Sequence, residues 1–446
     1  MKKNILLFLA GLVCAFTANA QDYTTTIFDE VVFYDGYAET YTEPVPPEGI
    51  VRMSNSRYAT KLTDEQLDGI LDTFSVDVTI GALCDNYDRQ GGVFLSLVPK
   101  DEDIESEDKQ IMEIGRFITP FMNKNTMPDE VPYHYELNHL AGMFQDEIIR
   151  ENYDVWIEFF LFGVPYAANT EVSGCNERND VFSGTIVLNS SVDTDNPAEN
   201  YIPKPLWSRL RMNKTNDSDV PGTAVRLVNF SNEDILTDAH IQLITSAHGA
   251  NAGGEEYNRR DHYVFFDEEQ VLTYKPGGFS CEPFRQYNTM PNCIYLMCGV
   301  PGYPPRTDWS SSNWCPGAAI PSRIIELGDV PAGEHQFKLT VPTGQFLNDN
   351  DEIFLSAFIY SADHTPLDNE YFQITDYTVY PNPASNMVRI ESEETVKVVR
   401  IFNLAGQKVL ETSGSQINIE HLSAGSYLME LNFENGVKST ENLIKK

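Results

Sequence analysis

From residue 22 to residue 360 the chain is written in short apolar runs that alternate and are cut by turn residues, and helical periodicity is nearly absent. Residues 25–28, 31–34, 76–80, 93–98 and 155–162 place alternate side chains on one face, the pattern of a strand with one buried side. After a stretch rich in Asn, Asp, Ser and Pro (190–222), strand patterns resume at 223–228, 241–244, 262–266, 322–327, 335–341 and 353–360. Such a period does not suit helical bundles or βαβ crossovers; antiparallel sandwiches are the natural outcome. One short helix is predicted over 63–73, with Thr63 as its cap and Leu67, Ile70 and Leu71 inward. The acidic run 101–109 reads as a solvated hairpin loop.

A chain of 446 residues is long for one core, so several domains are expected. An N-terminal sandwich is assigned to 21–205, a second to 206–372 and a small C-terminal sandwich to 373–446. Residues 1–20 have the make-up of a secretory signal: Lys2-Lys3, the apolar run 5–16, then Ala18-Asn19-Ala20. That run is too short to span a membrane, and no other apolar stretch is long enough. Val13 is bulky for lipoprotein processing at Cys14, which favours cleavage after Ala20. The net charge of −35 argues against nucleic acid and against anionic lipid as partners.

Export bears on the cysteines. Without Cys14 six remain, Cys84, Cys175, Cys281, Cys293, Cys298 and Cys315, an even number in an oxidising compartment. Zinc is the weaker reading, because no Cys-x-x-Cys pair occurs. Histidine is scarce, and no His-x-His or His-Glu-x-x-His is present. No metal or cofactor is expected.

Two distant stretches share one grammar of acid, aromatic and arginine. The first is Cys84-Asp85-Asn86-Tyr87-Asp88-Arg89; the second is Gly253-Gly254-Glu255-Glu256-Tyr257-Asn258-Arg259-Arg260. Carboxylates held beside arginines can take unequal protonation states and divide acid and base roles. Alone, each is equally an exposed ion pair of small energetic weight. Asn313-Trp314-Cys315-Pro316-Gly317 reads first as a structural clasp and second as an indole platform for a sugar ring.

Together these stretches resemble a known family, the bacterial peptide:N-glycosidase F type amidases. Residues 84–89 look like that family's Cys-Asp-Glu-Trp-Asp-Arg, and Glu113-Ile114-Gly115-Arg116-Phe117-Ile118-Thr119-Pro120-Phe121 looks nearly identical to its counterpart. Residues 254–262 and Trp314-Cys315-Pro316-Gly317 with Pro321-Ser322-Arg323-Ile324 resemble two more segments. The resemblance implies an all-β chain of two adjacent antiparallel eight-stranded jelly-roll sandwiches, with a site between them. It implies metal-independent hydrolysis of the amide joining asparagine to the first N-acetylglucosamine of N-linked glycans, on peptides or glycoproteins. Catalytic roles fall on Asp88 and Glu256, and substrate contacts on Tyr87, Arg89, Tyr257, Arg260 and Trp314. A third family carboxylate aligns with Phe160, for which Glu158 stands in; a family arginine aligns with Ser311, for which Arg306 stands in. These departures support the rival reading, a non-catalytic glycan- or protein-binding module on the same scaffold. The expected disulfides are Cys281–Cys315, Cys293–Cys298 and Cys84–Cys175, in a monomer. The tail, with Tyr380-Pro381-Asn382-Pro383, Leu404-Ala405-Gly406-Gln407 and Ala424-Gly425-Ser426-Tyr427, resembles a type IX secretion sorting domain. That implies handling by the secretion machinery and release to the cell surface or medium.

Overall fold

The computed structural model describes residues 22–213, 224–249, 254–290, 313–347, 350–362, 375–392, 394–403, 407–433 and 438–446. The leader, Cys293, Cys298, Arg306, Ser311 and the turn 404–406 lie outside the described residues.

The first sandwich is built from β1 (Asp22–Tyr34), β2 (Ile50–Ser54), β3 (Arg57–Lys61), β4 (Ser75–Ala82), β5 (Gln90–Pro99), β6 (Gln110–Ile118), β7 (Glu130–Glu136), β8 (Tyr153–Leu161) and β9 (Asp180–Ser191). A 4-stranded sheet in the order β1-β9-β4-β7 faces a 5-stranded sheet in the order β2-β3-β8-β5-β6. All pairings are antiparallel, and alternation decides what goes inside. In β4, Val76, Val78 and Ile80 point to the core, and in β8 so do Val155, Ile157, Phe159 and Leu161. Phe159 meets Phe28 and Phe33 edge-on at 5.5 and 5.1 Å, the geometry aromatic quadrupoles favour. Glu158 and Phe160, one step off that period, project from the opposite face.

The predicted helix is real but short. Helix α1 (Asp64–Asp68) carries a full capping box between Thr63 and Gln66. It stops early because residues 71–73 hydrogen-bond to Ser190 and Ser191 at the end of β9, which turns the chain back into the sheet.

The second sandwich contains β10 (Ile202–Asn213), β11 (Val225–Asn232), β12 (Leu236–His248), β13 (His262–Phe266), β14 (Glu269–Tyr274), β15 (Arg323–Val330), β16 (Gly333–Thr340) and β17 (Glu352–Ser361). Its sheets run β10-β17-β12-β15 and β14-β13-β16-β11. Strand β10 lies inside the stretch that composition marks as a connection. Pro203 and Pro205 disguise it, and they are tolerated because β10 is the outermost strand of its sheet.

Tail strands follow: β18 (Thr375–Tyr380), β19 (Met387–Ser392), β20 (Val396–Asn403), β21 (Lys408–Thr412), β22 (Gln416–Asn418), β23 (Gly425–Phe433) and β24 (Lys438–Lys445). The tail has its own apolar core around Val399, Ile401, Met429 and Leu431. It is nonetheless joined to the second sandwich, since β18 pairs with β11 and Tyr377 is buried there beside Leu227.

The outer face of the first sandwich's larger sheet packs on the sheet containing β12 and β17, forming the seam that positions the site. At its centre Arg116 is fully buried and forks onto both oxygens of Glu113 at 2.8 and 2.6 Å. The same guanidinium crosses to Ser246 (2.8 Å), Ser356 (3.1 Å) and the Phe354 carbonyl (3.0 Å) of the second sandwich. Burial alone would raise the Glu113 carboxyl, but Arg116, helped by Arg209 and the Ser356 hydroxyl, holds the group below its ordinary range.

Candidate active site

Two loops meet at one end of this seam. The first, residues 83–89, follows β4 and is tied down by the Cys84–Cys175 disulfide. Asp85, fully buried, accepts the Arg89 guanidinium at 2.6 and 3.3 Å and the amides of Tyr87 (2.9 Å) and Val164 (2.7 Å). Asn86 donates to Glu171 at 2.7 Å. The backbone of Arg89 exchanges hydrogen bonds with Thr119, just past β6. With Asp85 committed to Arg89, Asp88 is left half-buried and within reach of the Glu256 charge.

The second loop, residues 254–260, repeats the design. Buried Glu255 takes the Arg260 guanidinium at 2.8 Å and the Gln345 amide at 2.9 Å. Glu256 is left facing Asp88 and accepts the Gly249 amide at 3.2 Å and the Tyr257 hydroxyl. In both loops the inner acid neutralises the arginine and, among the described residues, the outer acid has no cation fork. Arg89 and Arg260, expected to orient substrate, are thus engaged first as struts for Asp85 and Glu255.

The outer acids disturb each other. Burial, then the neighbouring Glu256 charge, push the Asp88 carboxyl up to about 8 against the pull of Arg89. Glu256 is also raised, by burial and secondarily by Asp351, while Tyr257 and the Gly249 amide partly restore its anionic form. Burial and the Glu256 charge push the Tyr257 phenol well above its usual range. Two acids thus sit in unlike surroundings, one beside a second carboxylate and one with two donors, an arrangement that can divide acid and base roles.

A single segment, residues 313–320, holds both loops. The Asn313 carboxamide donates to the carbonyls of Glu255 and Glu256, each at 2.7 Å. Cys315 is bonded to Cys281. Further along, Ile118 and Ile320 amides donate to the Ala318 and Arg116 carbonyls (3.0 and 2.8 Å), extending β6 toward the Asp88 loop. Trp314 is buried among Ile118, Ile244 and Ile320, and its N–H donates to the Ala247 carbonyl at 2.8 Å. That corrects the expectation of a sugar platform: the indole is a wedge, with no open face. Asn313→Ala strands carbonyls that its amide now satisfies, and the expected cost is about 1–3 kcal/mol. Thermal unfolding should show that loss while leaving the Cys84–Cys175 loop as protected in hydrogen exchange as before.

Glu158 does not reach this pair. It is fully buried, clamped by Arg57 (2.5 Å), Ser96 (2.5 Å) and Lys109 (3.4 Å), a closed cluster of its own. Phe160, nearer the site, lies under the Arg209 guanidinium, 4.4 Å from its ring centre. Tyr87 and Tyr257 are the exposed aromatic residues of the two loops. Residue type gives no hint of Arg209 or His248, because neither lies within the acid–aromatic–arginine pattern, whereas Asn313 heads the clasp that the sequence marks. Burial and the neighbouring Arg116 and Arg209 charges push His248 down to about 3, so it is a neutral partner of Ser246 at 2.8 Å. Among the described residues no group of His, Cys, Asp and Glu could hold a metal ion.

Comparison with known proteins agrees with this architecture. Residues 24–178 match the family model "Peptide-N-glycosidase F, N terminal" and residues 218–360 match "Peptide-N-glycosidase F, C terminal". Residues 378–446 match "Secretion system C-terminal sorting domain", which marks the protein for export to the cell surface or beyond. A comparison with curated proteins finds no match. Among solved structures, PNGF-II superposes with a TM-score of 0.54 at 17% identity, over 76% of this chain. The match spans 65% of PNGF-II's own length. A peptide-N(4)-(N-acetyl-beta-D-glucosaminyl) asparagine amidase superposes with a TM-score of 0.50 at 13% identity, over 79% of this chain and 99% of that one. These likenesses show the two-sandwich fold. No helix of the described residues is long and apolar enough to cross a membrane. With the family's separate N-terminal and C-terminal models matched in order across the two sandwiches, the chain belongs to the peptide-N-glycosidase F family and carries a C-terminal secretion sorting domain.

Proposed function

We propose that this protein is a secreted glycoamidase that hydrolyses the amide between asparagine and the first N-acetylglucosamine of N-linked glycans, on peptides or glycoproteins. The observation that carries the reading is the pair of acids from the two sandwiches, Asp88 and Glu256, close enough that the Glu256 charge acts on Asp88 and both act on Tyr257. Glu256 has two donors that favour its anion and acts as base; Asp88 holds the pair's proton and acts as acid. Glu256 takes a proton from water as the water oxygen bonds to the side-chain carbonyl carbon. Asp88 gives its proton to the amide nitrogen, the C–N bond breaks, and aspartate and a glycosylamine leave. Tyr87 and Tyr257, both exposed on the two loops, flank the sugar and the amide in this reading. The domain limits 21–205, 206–372 and 373–446 serve this reading with one adjustment, the first boundary moving to just before β10.

The rival, a binding module without hydrolysis, draws on Phe160, which meets Arg209 as an apolar ring where the family resemblance expects a carboxylate. Incubation with a denatured N-glycoprotein separates the two. Weighing the peptide should show aspartate at the former glycan site; unchanged peptide mass with retained glycan binding would sink the amidase reading.

The pair also fixes a pH profile. Below the raised Glu256 value the base is protonated; above about pH 8 Asp88 loses its proton. kcat/KM should rise and then fall, with the alkaline limb near pH 8. Tyr257 lowers the Glu256 value, so Tyr257→Phe should move the acid limb toward higher pH and leave the alkaline limb nearly in place. An acid limb that does not move would contradict this assignment.

A further inference from the structure

Beside the Asp88 loop the surface carries aromatic rings that the hydrolytic step does not use. Tyr37 and Tyr166 are 71% and 60% exposed, unusual for rings of this size. They stack at 6.3 Å with only 22° between their planes. Tyr37 also meets Phe162 edge-on at 5.2 Å. Phe162 lies 6.0 Å from the Arg89 guanidinium, which in turn covers Tyr87 at 5.3 Å. The rings thus run without a break from the rim of the Asp88 site outward.

The tip that presents Tyr37 is built, not loose. Buried Asn55 donates to the carbonyls of Asp35 (2.8 Å), Ala38 (3.3 Å) and Glu39 (3.0 Å). The Tyr37 amide donates to Asp35 at 3.0 Å, and the Gly36 amide to the Gly163 carbonyl at 2.9 Å. At Gly36 a Cβ would come within 2.6 Å of the Phe162 ring, so only glycine lets the loop lie this close. Such scaffolding around two exposed rings removes the ordering cost that binding would otherwise carry.

We infer that Tyr37 and Tyr166 form a shelf that binds neutral sugar residues of the glycan beyond those next to the scissile amide. Sugar rings present flat C–H faces that lie on aromatic planes, and the tyrosine hydroxyls add hydrogen bonds at the edge. The shelf sits on loops, Tyr37 just after β1 and Tyr166 after β8. The surface is acidic, with Glu39 exposed on the same loop and a net charge of −35, which disfavours anionic sugars and leaves neutral ones. The inference rests on the glycoamidase reading for its substrate, but its test does not need hydrolysis.

The experiment titrates the full chain with a neutral N-glycan oligosaccharide freed from asparagine, by calorimetry, in wild type and in the Tyr37→Ala/Tyr166→Ala protein. Affinity should fall about tenfold, the scale of losing two stacked contacts. In hydrolysis assays the loss should lie in KM and be larger for a glycopeptide with the full glycan than for one bearing only the first two sugars. Equal oligosaccharide affinity in both proteins overturns the shelf, and so does a KM loss that follows peptide length instead of glycan length. A wild type that binds the oligosaccharide through these tyrosines yet never converts asparagine keeps the shelf and defeats the amidase reading.

Discussion

Asp88→Asn should abolish most glycan release, lowering kcat by about 10²–10⁴-fold with little change in KM, the range seen when a positioned acid or base is lost. Asparagine keeps the shape but cannot supply the proton, and it stays neutral beside the Glu256 charge at every pH. Stability should move the other way. In the folded protein the Asp88 carboxyl is raised from 3.8 to about 8, so the native state holds a proton that the unfolded chain releases. Native stability therefore drops as pH rises from about 4 to about 8, and the drop is complete above the folded value. The asparagine variant lacks this penalty and should melt higher than wild type at alkaline pH, with the difference vanishing below pH 4. A variant that loses activity by unfolding would melt lower at every pH, so the two explanations separate cleanly. The trade of stability for a poised acid is a recurrent property of catalytic sites.

The largest loss of stability is expected at the seam. Arg116→Leu removes a guanidinium that satisfies both Glu113 oxygens and reaches Ser246, Ser356 and the Phe354 carbonyl. Glu113 would be left buried without its cation, a change that typically costs about 3–5 kcal/mol. Removing the acid as well, in Glu113→Leu/Arg116→Leu, should recover much of that loss, because no uncompensated charge remains. Denaturant unfolding of the two variants checks this, and a double variant no better than the single one would refute it. Activity should fall with the seam, since the segment that pairs with β6 also holds the Glu256 loop.

Much of this protein is legible in its sequence, for reasons that the structure makes concrete. Alternation reveals the sandwiches because each strand has one buried face, as at Val76, Val78 and Ile80. It fails at β10, where an outer strand accommodates Pro203 and Pro205 and the composition looks like a linker. The two acid-rich loops stand out by residue type, and their ordered company suggests Asp88 and Glu256. What no spacing reveals is the division of labour inside each loop. Asp85 and Asp88 are equally plausible partners for Arg89 until burial shows that Asp85 takes it, and the same holds for Glu255 and Arg260. Glu158 misleads for the opposite reason. Its strand phase puts it on the face of Phe160, but Arg57 and Lys109 arrive from β3 and from the β5–β6 hairpin loop. Trp314 misleads because an indole beside a cystine has two common uses, and only its burial selects the wedge.

The central claim is that water is added to an asparagine side-chain amide by the Asp88–Glu256 pair. The most direct measurement is to digest a denatured N-glycoprotein with the full-length protein in heavy-oxygen water and sequence the peptides by mass spectrometry. The prediction is aspartate carrying one heavy oxygen at each former glycan site with wild type, and glycosylated asparagine left intact with Asp88→Asn. Asparagine still in the peptide after the wild-type reaction, with or without a residual sugar, would contradict it.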